Sequence, residues 1–316
     1  MPTSWKLSSI PPHDFYLCLD IDSYFDFEHD PVDIPDKGFI RPVNLNGREV
    51  LLTLFFNGET ENPAFLIESS ENLTHEEKDL ANTMLARILG TALDIRPLYE
   101  QAANDPVLAP LLQEFYGLKR MSRATFFEDA INRIIKTQIQ HAPTARKMVY
   151  RVREAYSPTL ESMNGLIAAW PQPKRLENAD PADMKKYGLS LRKGEYIVGL
   201  AHLLVSGALD MNKLSLVSPQ DYFETLISVR GIGHATAQDL MLFRDRTDAV
   251  FPSRFHKGYE NGLRKWIIMS YQGDPENCSE ADFEKMIRNW KGFEAPAIEF
   301  LYANWVISEK RKKAQS

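Results

Sequence analysis

The sequence predicts a mostly α-helical protein whose first hundred residues form a smaller α+β domain. Three observations lead there. Val50-Leu51-Leu52-Thr53-Leu54-Phe55-Phe56 is β-branched and aromatic, and the turn signal Asn57-Gly58 closes it. From about residue 97 the pattern is almost wholly helical. Hydrophobic residues make up 44% and charged residues 25% of the 316, a globular balance that can bury a sizeable core. The expected division is an N-terminal α+β domain over 1–96 and a helical domain over 97–316.

Taken in order, Phe15 to Ile21 and Gly38 to Val43 are weaker strand candidates, and Ala64 to Glu68 reads as a second strand beside Val50 to Phe56. Thr74-His75-Glu76-Glu77 forms a capping box before Leu80, Met84, Leu85 and Ile88, whose spacing gives an amphipathic helix. Thr125-Phe126-Phe127-Glu128 is a second such box, opening a helix with Ile131, Ile134 and Ile135 on one face. Pro143 suits the first turn of the next helix. That helix carries Arg146, Lys147, Arg151 and Arg153, read as a solvated face. Asp180-Pro181 starts a short helix, Lys193 to Val205 makes another, and Ser218-Pro219 starts a third. Trp290 to Trp305 closes the folded part, and the tail Lys310-Arg311-Lys312-Lys313 is expected to be disordered.

Several classes fall away on composition. The longest apolar runs are too short to span a bilayer, and the N-terminus lacks the basic-then-apolar order of a signal peptide. A cytoplasmic protein is expected, nucleoid-associated if bacterial, and a monomer by default. The only cysteines, Cys18 and Cys278, have no metal-ligand spacing, fit a reducing compartment, and exclude a four-cysteine iron–sulfur cluster.

The segment Leu226 to Ala237 lies between two predicted helices. Gly231 and Gly233 permit a tight reversal and close approach of the backbone to another molecule. Gly233 to Thr236 then open a helix whose first N–H groups and dipole favour a phosphate. Such a contact is made by backbone, so the net charge of −6 does not oppose it. A glycine pair alone also serves an ordinary helix-to-helix turn.

Its context narrows the meaning. Phe127 to Ile131 with Ile134 to Ile139, Leu176 to Pro181 with Tyr187 to Glu195, Leu226 to Ala237, Val250-Phe251-Pro252 and Trp290 to Trp305 occur in one order. Over about residues 97 to 305 the chain resembles the helix-hairpin-helix (HhH-GPD) DNA glycosylase superfamily, most closely its 3-methyladenine DNA glycosylase II branch. The resemblance implies a two-lobed helical fold preceded by a small sheet-and-helix domain. It also implies base-excision repair of double-stranded DNA, in which a damaged, alkylated base is flipped into a pocket between the lobes and its N-glycosidic bond hydrolysed. No cofactor is required on this reading. Carbonyls of Ile227, Val229 and Gly231 would hold a Na+ or K+ ion bridging to a phosphate. Gly231, Gly233, His234 and Thr236 would contact DNA, and Gln138 would lie near the displaced base or its partner. Bifunctional members carry a lysine where this chain has Ala235, so no lysine-based lyase step is expected at that position.

The sequence departs from the family at the catalytic aspartate, which should follow Val250-Phe251-Pro252. Ser253 and Arg254 stand there, with Phe255 and His256 after. An arginine has the wrong sign to stabilise a cationic transition state, but it binds phosphate bidentately, which makes Arg254 a DNA-contact candidate. Ala235 replaces a bulky pocket residue. Asp239, four residues on, shares its helix face and stands where relatives have a pocket aromatic. Asp239 is therefore the catalytic candidate, against the plainer reading of an exposed helix carboxylate. Asp245 and Asp248 read as turn residues, His256 as a structural hydrogen-bonder, and Trp290 and Trp305 as core. Two functions stay open: a glycosylase with a relocated acid, and a catalytically impaired protein that binds DNA lesions or distorted DNA. A helical scaffold unrelated to DNA is a third, disfavoured by the ordered segments.

Overall fold

The structure is a computed structural model describing residues 3–26, 39–162, 165–252 and 262–315. Strands β1 (Ser4–Ser8), β2 (Phe39–Leu45), β3 (Arg48–Phe56) and β4 (Ala64–Ser69) form an antiparallel sheet in the order β1-β4-β3-β2. The β-branched run is thus a central strand. Asn46 and Gly47, at φ 54° and 92°, make the two-residue turn that sets Val43 opposite Val50. Phe15 to Ile21 is not a strand. It opens the helix α1 (Phe15–Asp26), because Asp14 caps the Leu17 N–H at 3.0 Å and Phe15, Cys18 and Leu19 bury at helical spacing.

Helix α2 (His75–Leu89) begins on the expected box: Thr74 Oγ1 accepts from the Glu77 N–H at 3.2 Å and Glu77 Oε2 from the Thr74 N–H at 2.9 Å. Short helices α3 (Arg96–Gln101) and α4 (Leu108–Glu114) follow. At α5 (Phe126–Lys136) only half a box forms. Thr125 caps Glu128, but the Glu128 carboxylate turns to the Ala124 N–H. Asp129, buried in the first turn, pairs with Arg87 at 2.7 Å and Arg123 at 3.2 Å. Helix α6 (Ala142–Tyr156) carries Pro143 in its first turn. Its Arg146, Lys147 and Arg151 are exposed, whereas Arg153 is buried, donates to the Ala168 carbonyl at 3.1 Å and lies over the Trp170 ring. The small hairpin β5 (Thr159–Ser162) and β6 (Gly165–Ala168) has no counterpart among the sequence expectations.

The remaining helices are α7 (Pro173–Leu176), a 3-10 turn at Asp183–Tyr187 rather than at Asp180, then α8 (Leu191–Val205), α9 (Met211–Leu214), α10 (Pro219–Ser228), α11 (His234–Leu242), α12 (Leu263–Ser270), α13 (Glu280–Ile287) and α14 (Glu294–Gln315). The basic tail is ordered: α14 runs through it, with Lys310 on Asp20 at 2.6 Å and Arg311 on Glu114 at 3.2 Å. Helix α5 packs on α6, α8 and α11, and α14 packs on α1, α4, α11 and α12, so α11 stands between the two groups. Trp290 is 0% exposed, as expected of core. No helix among the described residues is long and apolar enough to cross a membrane.

Candidate functional site

The hairpin has the geometry its sequence requires. Helix α10 ends at Ser228, the Ile232 N–H closes a turn on the Val229 carbonyl at 3.0 Å, and Gly231 sits at φ 99°. A Cβ on Gly231 would lie 2.6 Å from Cβ of Tyr196, so both conformation and space demand glycine. Gly233 caps α11 in an extended conformation with open space beside it. The first helical bond runs from the Ala237 N–H to Gly233 O at 2.8 Å, leaving the amides of His234, Ala235 and Thr236 without an intrahelical partner. Gly233 and Ala235 are exposed, so the start of α11 lies at the surface. The Thr236 side chain is buried and offers only its amide, while the His234 ring leans on Phe223 at 5.9 Å.

Gln138 is brought towards the same region by α8. Lys193 Nζ donates to the carbonyls of Ile135 and Thr137, both at 2.7 Å, and so caps the end of α5. Removal from water lowers its pKa. On the same helix Glu195 holds Arg230 at 2.7 Å and Tyr196 backs Gly231. The next residue after that cap, Gln138, is exposed at φ 63°. One stretch of α8 therefore supports both the hairpin and the Gln138 corner.

Asp239 lines a cavity of about 500 Å³ enclosed by α5, α11, α12 and α14. Arg133 faces it at 3.5 Å from Oδ2. Arg120 and Glu299 pair across the cavity wall at 2.5 Å; burial pushes the Glu299 carboxyl up and the arginine opposes that shift. The guanidinium carbons of Arg120 and Arg133 lie 4.4 and 5.5 Å from the Phe243 ring centre. Trp266, Tyr302 and Trp305 complete the aromatic lining, with Asn132, Lys136 and Asp22 as further polar members. Trp305 is thus not core: it is 38% exposed and faces the cavity.

The solved 3-methyladenine DNA-glycosylase from Archaeoglobus fulgidus superposes with a TM-score of 0.73 at 21% identity, covering 94% of this chain and 97% of that one. The 8-oxoguanine glycosylase/lyase of Clostridium acetobutylicum, solved with double-stranded DNA, gives 0.67 at 17% identity over 96% and 97%. The chain has the helix-hairpin-helix DNA glycosylase fold. In sequence, this glycosylase-fold chain is 28% identical over 210 residues to a DNA-3-methyladenine glycosylase of Bacillus subtilis (strain 168), a match to 66% of this chain and 65% of that protein. The match thus spans just under two thirds of that relative's length. No protein-family model matches. The resemblance to the 3-methyladenine branch read from the ordered segments holds.

The cavity lies between α5, α11 and α14. Of the residues singled out by sequence, Asp239 reaches it, and Gly231, Gly233 and the α11 amides form the hairpin. Ala235 is exposed. Asp248 serves its loop through ion pairs with Arg244, at 2.5 Å, and Arg246, and Asp245 stays near Arg87 at 3.9 Å. Arg254 and His256 lie outside the described residues. Sequence reasoning missed Asn132, Arg133 and Lys136 on α5. The signal was a polar residue, Asn132, one step from Ile131 and two from Ile134 in the most regular apolar stripe of the chain.

Proposed function

We propose that the chain is a base-excision DNA glycosylase. Its hairpin amides hold a backbone phosphate of duplex DNA, a damaged base turns into the cavity, and the N-glycosidic bond is hydrolysed. The observation that carries this reading is the carboxylate of Asp239 on the wall of an aromatic-lined cavity of about 500 Å³, adjoining the hairpin on α11. A negative group there opposes the positive charge that develops on the sugar as the bond breaks. Asp239 supplies it from α11 in place of the family's aspartate, whose position here is Arg254. Phe243, Trp266 and Tyr302 offer the stacking surfaces that Ala235 no longer supplies.

The hairpin also suits an alkali-metal ion. Ile227 and Gly231 carbonyls receive no backbone hydrogen bond from outside α10 among the described residues, and Val229 O receives only the Ile232 N–H, so neutral oxygen donors remain for a hard monovalent cation. The ion would strengthen the phosphate contact. The protein acts as a monomer on DNA in this reading, close to the chromosome.

Base release from duplex DNA carrying alkylated bases tests the proposal. Wild-type protein should release base and Asp239→Asn should lose that release while retaining duplex binding. No release across a broad lesion panel, with binding intact, favours the alternative of a lesion-binding protein. Release undiminished in Asp239→Asn would remove the aspartate's role only. Hydrolysis alone is expected, without strand cleavage. Because Lys136 lines the cavity, borohydride trapping of a covalent protein–DNA adduct would overturn the monofunctional assignment.

A further inference from the structure

Asn132 is 3% exposed, lines the cavity, and its Oδ1 has no hydrogen-bond partner among the described residues. A buried acceptor left unmade is unfavourable, and native structures hold few of them. Nothing in the packing of α5 calls for an amide here, since Ile131, Ile134 and Ile135 fill the core face. The group therefore points to something the cavity receives. Two donors in the same state stand on the same wall: Nε of Arg120 and Nε of Arg133, each buried and without a partner.

Resting on the base-pocket reading above, we propose that Asn132 is a specificity-determining residue that reads the lactam edge of a 6-oxopurine. Its Oδ1 accepts the ring N–H of a guanine- or hypoxanthine-type base, and its amide N–H donates to the neighbouring carbonyl. That carbonyl has a second lone pair, which matches an arginine Nε–H. A 6-aminopurine such as 3-methyladenine turns an N–H group towards these donors instead, leaving donor against donor. Sites built around such hydrogen bonds reject analogues that leave buried groups unpaired. Within alkylated purines, the structure thus assigns the site to the guanine type.

Binding separates recognition from cleavage. Duplexes would carry one 7-methylguanine or hypoxanthine as a 2′-fluorinated nucleoside that resists release, or one 3-deaza-3-methyladenine. Affinity would be measured by fluorescence anisotropy for wild type and Asn132→Leu, which keeps the side chain's shape. Wild type should bind the 6-oxopurine duplexes about tenfold or more tightly than the 6-aminopurine duplex. Asn132→Leu should erase that preference by weakening the 6-oxopurine duplexes alone. A preference unchanged in the variant, or equal weakening of both classes, overturns the inference. If Asn132→Leu does not melt cooperatively, Asn132→Ser, too short to reach the base, is read the same way. Wild type that binds no lesion better than undamaged DNA overturns the base-pocket reading together with this one, whereas lesion-dependent binding indifferent to Asn132 overturns this one alone.

Discussion

Replacing each hairpin glycine by alanine should separate its architecture from its grip on DNA. At Gly231 the added Cβ meets Tyr196 near the stem of its side chain, where rotation of the ring gives no relief, and it does so at φ 99°. A left-handed conformation costs a non-glycine residue about 1–2 kcal/mol, and forced repacking about 1–3 more. Gly231→Ala should therefore lose about 2–5 kcal/mol, a fall in Tm of roughly 5–15 °C for a chain of this size. At Gly233, φ is −86° and the added Cβ meets nothing within 4 Å, so Gly233→Ala should melt within about 0.5 kcal/mol of wild type. Its Cβ would, however, stand in the space a phosphate needs to reach the His234 to Thr236 amides. Loss of one charge-assisted bond there weakens duplex binding by about tenfold or more. Calorimetry and anisotropy on the same preparations make the test. Wild-type affinity in Gly233→Ala would refute a phosphate at the α11 N-terminus, and wild-type melting of Gly231→Ala would refute Tyr196 as a fixed wall.

Arg254→Ala should weaken binding to all duplex sequences alike and reduce the slope of log K against log salt by about one charge, because a phosphate contact carries no base information; an unchanged slope in a salt titration counts against that contact. His13 is fully buried on Ser9 at 2.8 Å, and burial, helped by the charge of Lys119, lowers its pKa from 6.5 to about 3. The folded state holds it neutral while the unfolded chain protonates, so stability present above about pH 6.5 should fall towards pH 3 by up to about 1.4 kcal/mol per unit. His13→Leu should flatten that acid limb in denaturant melts across pH, and an identical limb would show that other groups set it.

How much of this was legible in the sequence depends on the range of the physics involved. Thr74, Thr125, Ser218 and Gly231 act on neighbours within a few residues, so caps and turn were readable one position at a time. Phe15 to Ile21 failed because alternating and helical burial look alike over seven residues, and the deciding term was the Asp14 cap. Arg153 failed because a charge on a helix is solvated only where nothing covers it, and here Trp170 and the Ala168 carbonyl do. The cavity was the least readable element, since its wall is assembled from side chains far apart in the chain.

Asp239 could be placed on a helix face from spacing alone, but its ion-pair partner, Arg133, lies on α5. The pairings Arg133–Asp239 and Arg120–Glu299 also bear on what the cavity can select. With these two cations matched by carboxylates, and Lys136 and Asp22 of opposite sign on the same lining, recognition by bulk charge is blunted; the directional groups on the wall include an amide oxygen, two guanidinium Nε–H groups and aromatic faces. On the proposed reading, a cavity so equipped would distinguish bases by the order of donors and acceptors along an edge. If Asp239 acts as proposed, the carboxylate that opposes the sugar's positive charge stands on α11 beside Arg133 rather than beyond Pro252, and that pairing leaves the pocket receptive to an uncharged edge.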